Sequence, residues 1–197
     1  MDFNERFSFY EKLYFHELER KEKLIGRLNL PLAMLVGLTS FLGYMLNKAP
    51  TTEDGWPAVF FWSFYGIAVI CIAVSAWEFK SAWGRREYDF ILPTTENLEN
   101  YRLKIQDYYK DEENGENTHK QIFKETIYNY YITGTSRNAT NNDKRGENLN
   151  QLSIYLVAAI VFSMLSFLPF YLHTQSERST NEPAETATTT ATTDEKH

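Results

Sequence analysis

Cysteine is all but missing. Cys71 stands alone in the 197-residue chain, so no intramolecular disulfide can form, and a lone thiol inside an apolar run reads as a small core residue. Basic charge is short as well. The 20 Lys and Arg against 26 Asp and Glu leave a net charge of −6, which argues against a nucleic-acid partner, whose footprint is a basic face. Motifs that carry chemistry are absent too: there is no Gly-rich phosphate loop, no HExxH and no CxxC, and the histidines at 16, 119, 173 and 197 are scattered. His16-Glu17 lacks a second histidine four positions on from the first, so no zinc site is expected. Lys110 falls where a calcium loop around Gly115 would need an oxygen ligand. No His, Asp, Ser or Cys grouping sets a nucleophile beside a base. These absences predict a chain with no catalytic residue, no metal and no cofactor.

Charge is missing again from three long runs. Residues 30–46, 59–77 and 152–172 contain no Lys, Arg, Asp or Glu. A helix rising 1.5 Å per residue needs roughly 17–25 such residues to cross a hydrocarbon core of about 30 Å, so all three qualify, the first at the short end. The expected fold class is therefore all-α: an integral membrane protein with three transmembrane helices and a cytoplasmic helical stalk or bundle. A cleavable signal peptide is not expected, because Asp2, Asn4 and Glu5 occupy the place where one carries positive charge. Basic residues set the orientation. Arg20, Lys21, Lys23 and Arg27 precede the first run, Lys80, Arg85 and Arg86 follow the second, and Lys144 and Arg145 precede the third. Loop 47–58 holds only Lys48 against Glu53 and Asp54. The expectation is a multi-pass protein of the cell (inner) membrane with 1–29 and 78–151 cytoplasmic, and with 47–58 and the C-terminal 173–197 external. From about Thr174 the chain is Thr-rich and acidic and is expected to lack structure. Trp56, Trp77, Tyr155 and Tyr171 fall near the expected membrane interfaces, where amphipathic rings anchor.

Outside the runs, periodicity predicts helices. Phe3, Phe7, Tyr10, Tyr14 and Leu18 recur every three or four residues, with Leu24, Ile25 and Leu28 extending the pattern, so 3–28 reads as one amphipathic helix bounded by Pro31. Helix is expected past Trp77 to about Leu92, before Pro93. A second stretch capped by Thr95 carries Leu98, Ile105 and Tyr108 or Tyr109 in register. A turn at 111–117 follows, and a third stretch opens near Thr118 with Ile122, Phe123, Ile127, Tyr130 and Tyr131 on one face. Segments 78–110 and 118–150 are equal in length. As helices each would reach roughly 50 Å, which fits a hairpin that leaves the membrane and returns, with Pro93 as a kink or, alternatively, as an earlier reversal.

Small residues four apart let membrane helices approach closely. Ala33 and Gly37, Thr39 and Gly43, and Ala159 and Ser163 have that spacing, in service of either dimerisation or packing within the chain. One constellation stands out beyond them. Tyr131, Thr135, Asn138, Asn142, Arg145 and Leu149 are spaced 4, 3, 4, 3 and 4, so a continuous helix would align them on one stripe. Polar groups on an inward face cost free energy unless they find partners. Tyr131, Asn138, Asn142 and Arg145 are thus candidates for a polar seam that sets register and oligomer state, or for a ligand contact in which Arg145 forks onto a phosphate or carboxylate. The alternative is a loop at 134–145, a segment poor in helix formers.

The series Tyr131, Asn138, Asn142, Arg145 and Leu149, running directly into a terminal apolar run, resembles small helical membrane effectors of bacterial antiphage defence systems. In those proteins a few spans join a cytoplasmic helical or sensing part. Over 131–172 the resemblance implies homo-oligomerisation in the inner membrane and loss of membrane integrity after a cytoplasmic trigger, a protein or a small molecule. The first expectation is therefore a non-enzymatic, self-associating effector or pore-forming subunit with the lipid bilayer and its own copies as partners. The second is an anchor or adaptor whose stalk recruits a soluble partner, motivated by its many Tyr and Phe residues.

Overall fold

Asp2 starts the first helix. Its carboxylate accepts from the Glu5 amide at 2.7 Å while the Glu5 carboxylate accepts from the Asp2 amide at 2.9 Å, a reciprocal capping box. Helix α1 then runs Phe3–Gly26. The computed structural model describes residues 1–51, 55–84 and 89–191, with side chains through 176. Glu53, Asp54, Arg85 and Arg86, used above for orientation, lie outside the described residues, as does 192–197 of the expected tail. The further elements are α2 (Asn29–Leu46), α3 (Trp56–Gly84), α4 (Thr95–Tyr109) and α5 (Gly115–Ala191). Among the described residues there is no strand.

Several boundaries differ from the periodicity reading. The break between α1 and α2 falls at Arg27 and Leu28; Pro31 lies in the first turn of α2, where a missing N–H removes no helical bond. Helix α3 is described to Gly84, residues 85–88 lie outside the described residues, and Asp89–Thr94 is non-helical, so the helix does not reach Leu92 and Pro93 kinks no helix. The cap of α4 is Thr94, not Thr95: its hydroxyl accepts from the Asn97 amide at 3.4 Å. The turn closes early enough for α5 to open at Gly115, where a Cβ would collide with the Tyr109 carbonyl oxygen. At its far end α5 carries helical backbone to Ala191, where the sequence predicts no structure from 173. A helix already nucleated in an apolar run only has to propagate. The loop alternative at 134–145 is not adopted, since that segment is helical throughout.

The chain clusters into two compact units, 1–29 with 80–149 and 30–79 with 150–197. In the second, Leu42, Met45, Phe61, Ala68 and Phe170 form a buried core. Phe41 meets Phe167 with ring centroids 5.8 Å apart, and Phe61 meets Phe170 at 6.3 Å. Its outer faces are apolar: Val36, Val59, Phe60, Ile70, Val157, Met164 and Leu168 are exposed. Hydroxyls there turn back onto their own helices, Thr39 to the Leu35 carbonyl at 2.8 Å, Ser40 to Val36 at 2.9 Å and Ser63 to Val59 at 2.7 Å. That arrangement suits a solvent offering no hydrogen bonds. The protein has three helices long and apolar enough to cross a membrane.

In the first unit, α1 lies on α5 through interleaved rings. Phe3 and Tyr10 pack on Tyr128, with centroids 5.4 and 5.6 Å away, and Phe7 and Tyr14 pack on Tyr131 at 5.6 and 5.5 Å. Helix α4 is peripheral. It has no buried residue, and it touches α5 where the Tyr101 ring nears Phe123 and its hydroxyl lies 3.4 Å from that of Thr126.

Candidate functional site

The stripe on α5 is buried along its length. Tyr131, Asn138, Asn142, Arg145 and Leu149 are all buried, and Thr135 is half-buried. Tertiary packing thus overrides the poor helix propensity of this segment. The seven-residue period continues: 131, 138, 145, 152, 159 and 166 share one register and 135, 142, 149, 156, 163 and 170 the other. Leu152, Leu156, Ala159, Ser163, Ser166 and Phe170 are all buried.

Arg145 is the centre of the polar part. Its side chain is fully buried, and so is that of Asp89, which accepts from Arg145 Nη2 at 3.1 and 3.3 Å. Lys21 Nζ approaches the same carboxylate at 2.9 Å, so two cations face one anion. Arg145 Nη1 donates to Asn142 Oδ1 at 2.7 Å, and Asn142 Nδ2 donates in turn to the Glu17 carbonyl at 2.8 Å and its carboxylate at 2.9 Å. Arg20 completes the rim, 3.5 Å from Glu17 and 2.7 Å from Asp143. The bond to Asp143 in particular raises the Arg20 pKa. Burying charges costs several kcal/mol per ion unless geometry and further hydrogen bonds compensate. Here α1 supplies the acid for Asn142, and the non-helical 89–94 segment supplies the acid for Arg145.

That segment is held by more than charge. Asn138 Oδ1 accepts from the Phe90 amide at 2.7 Å while its Nδ2 donates to the Phe90 carbonyl at 3.0 Å. The Tyr14 hydroxyl accepts from the Leu92 amide at 3.2 Å and donates to the Phe90 carbonyl at 3.5 Å. The Phe90 ring lies 6.1 Å from that of Tyr130. Gly134 makes room, since a Cβ there would fall 2.7 Å from the Tyr14 ring and 2.9 Å from the Phe90 ring. Above this, the Tyr131 hydroxyl donates to Glu11 at 3.3 Å, and burial first, then the Glu11 charge, raises its pKa. Between 131 and 149, two polar atoms of the stripe find no partner among the described residues: Arg145 Nε and Thr135 Oγ1.

Of the residues singled out by sequence, Tyr131, Asn138, Asn142 and Arg145 come together in one seam inside the first unit. The small residues divide. Ala159 and Ser163 are buried in the second unit, whereas Ala33, Gly37, Thr39 and Gly43 are exposed on α2, which packs through Leu35, Leu42 and Met45. Trp56, Trp77, Tyr155 and Tyr171 are exposed. Sequence reasoning missed Tyr14 as a hydrogen-bonding residue, together with Glu17, Lys21, Asp89, Phe90 and Gly134. A signal existed for two of them. Extending the three-four register of α1 past Tyr14 lands on Glu17 and Lys21, and Glu17 is buried while Leu18 is only half-buried. Comparison with protein-family models, with characterised proteins and with solved structures gives no match.

Proposed function

We propose that the protein is a non-enzymatic membrane protein that self-associates in the bilayer and acts on membrane integrity after a cytoplasmic trigger. The observation that carries this reading is two exposed small-residue stripes on α2. Ala33 and Gly37 are exposed on one and Thr39 and Gly43 on the other, and a Cβ added at either glycine would meet nothing within 4 Å. Small residues at such spacing let helix backbones meet in lipid, where no hydrophobic force drives them together. The polar seam, occupied within its own unit, is left to set the α1–α5 register rather than to join subunits. Arg20, Lys21, Lys23 and Arg27, with Lys80, Lys144 and Arg145, support a cytoplasmic first unit, and 47–58 and 173–197 are then external. The stripe running into a terminal apolar helix supports a setting in antiphage defence. Mass in nanodiscs together with dye leakage from vesicles tests the proposal. Wild-type protein is expected as an oligomer that leaks dye, with Gly37→Leu and Gly43→Leu shifted to monomer and silent; an inert wild-type monomer overturns it.

A second reading, an adaptor that recruits a soluble partner, is favoured by α4. Leu103 and Tyr108 on it, and Ile91 just before it, are exposed although this unit is polar. Under this reading Leu103→Glu with Tyr108→Glu abolishes recruitment without changing the subunit number.

A further inference from the structure

The contacts around Asp89–Leu92 have the form of peptide recognition. Asn138 pairs with both the N–H and the C=O of Phe90, and the Tyr14 hydroxyl accepts from the Leu92 N–H and donates to the same Phe90 C=O, contacts that ask only for a backbone. Side-chain selectivity is added at two points. Arg145 and Lys21 require an acid, and the gap left by Gly134 requires a flat ring beside Tyr14 and Tyr130. The occupant is not a perfect fit. Both Asp89 oxygens crowd onto Nη2 at 3.1 and 3.3 Å, while the fully buried Arg145 keeps Nε without an acceptor. A carboxylate that suits a guanidinium forks across two nitrogens. Helical bonding begins only at Thr94, whose carbonyl accepts from the Leu98 amide at 3.0 Å, so the Asp89–Leu92 stretch can leave without breaking the α4 ladder.

We infer that the cleft between α1 and α5 is a recognition site for a linear peptide carrying an acidic residue directly followed by an aromatic one, and that Asp89–Leu92 holds it closed in cis as an imperfect ligand. This rests on the reading above that the first unit receives the trigger, and it assigns that trigger a chemistry. A glutamate in place of the aspartate adds one methylene, which brings the carboxylate within reach of the unpaired Nε. Release of the cis segment then frees Tyr14, Asn138 and Arg145 for a partner's backbone and acid.

The test uses full-length protein in nanodiscs and two labelled synthetic peptides, DFILPT and EFILPT, followed by fluorescence anisotropy. Asp89→Ala with Phe90→Ala, which empties the cleft, is expected to bind DFILPT at least tenfold tighter than wild type does. Adding Asn138→Leu should lose that gain, and EFILPT should bind tighter than DFILPT. Equal binding by the emptied and wild-type proteins overturns the inference. If the emptied variant does not fold, hydrogen exchange on wild type decides. Phe90 and Leu92 amides exchanging at least tenfold faster than those of Tyr14 and Tyr131 support a releasable segment, and exchange at the common core rate overturns it. Dye leakage is read separately, so peptide binding without leakage rejects the effector reading and leaves the peptide site standing, while leakage without peptide binding does the reverse.

Discussion

Two lengths of α5 solve the same packing problem with different chemistry. Between 131 and 149 the inward register holds Thr135, Asn138, Asn142 and Arg145; between 152 and 170 it holds Leu152, Leu156, Ala159, Ser163, Ser166 and Phe170. Both sets are inward-facing on one helix with one seven-residue period. In water, apolar burial already drives helices together, so a few polar pairs can be spent on deciding which helix meets which, and in what register. In lipid that drive is gone, and close approach through small residues with ring packing takes its place. On the proposed membrane reading the polar seam is a device for specificity, and its removal and its replacement should have opposite consequences.

Arg145 gives the largest break. Arg145→Ala leaves Asp89 buried with Lys21 as its remaining cation, and losing one partner of a buried pair costs about 3–5 kcal/mol. Thermal unfolding followed by circular dichroism in nanodiscs should show the first unit melting early. Arg145→Met combined with Asp89→Leu and Lys21→Met should recover most of that loss, because apolar residues of similar volume then replace the whole triad and leave no charge without its partner. If the triple variant is no better than Arg145→Ala, the seam is more than a register device. Gly134→Ala comes next. Its methyl would press on the Tyr14 and Phe90 rings at 2.7–2.9 Å, and overpacking of this kind costs about 1–3 kcal/mol. The same change at Gly37, where nothing lies within 4 Å, should not destabilise the monomer, since alanine is the better helix former by about 0.5–1 kcal/mol.

How much of this was legible follows from where each signal lives. The apolar runs are local, and the α5 stripe is a matter of spacing, so the helical class and the residues Asn138, Asn142 and Arg145 could be read from sequence. Helix ends could not be read closely: Pro31 and Pro93 punctuate strongly, yet one break falls at Arg27 and Leu28, and the chain is already non-helical at Asp89. The partner of Arg145 was beyond reach. Asp89 lies outside any helix, so no periodicity points to it, and only the tertiary arrangement carries its carboxylate to the guanidinium. Glu17 was readable in principle, but charged residues in an apolar stripe are discounted when its partner stripe is not yet known. The assignment of Leu18 to that stripe was the result.

Smaller effects sharpen the comparison by pH and by depth. Because the Tyr131 pKa is raised, by burial first and then by Glu11, the folded state keeps this proton where the unfolded chain, near the ordinary value of about 10, releases it. Its contribution is fully present below pH 10 and is lost as pH rises through the raised value. Tyr131→Phe should therefore be less sensitive than wild type in unfolding midpoints measured between pH 9 and 11. A wild-type profile that matches the variant's would mean that the ring, not its hydroxyl, is what the seam uses.

The smallest effect belongs to the apolar half. The Ser166 hydroxyl donates to the Phe61 carbonyl at 3.3 Å and is fully buried. In water-facing cores, removing one partner of a buried hydrogen bond costs about 1–3 kcal/mol. Between helices in lipid the measured average is about 0.6 kcal/mol, because the separated helices find substitutes. Phe61 illustrates the reason: its carbonyl already belongs to the α3 ladder, so Ser166→Ala leaves no bare acceptor behind. Unfolding of the variant in nanodiscs should shift by an amount near that average. Asn142→Ala should shift by several times more, because the Glu17 carboxylate and Arg145 both lose a bond there. Equal shifts at the two sites would mean that both halves of α5 are packed in the same solvent, and the contrast between water and lipid would then have to be abandoned.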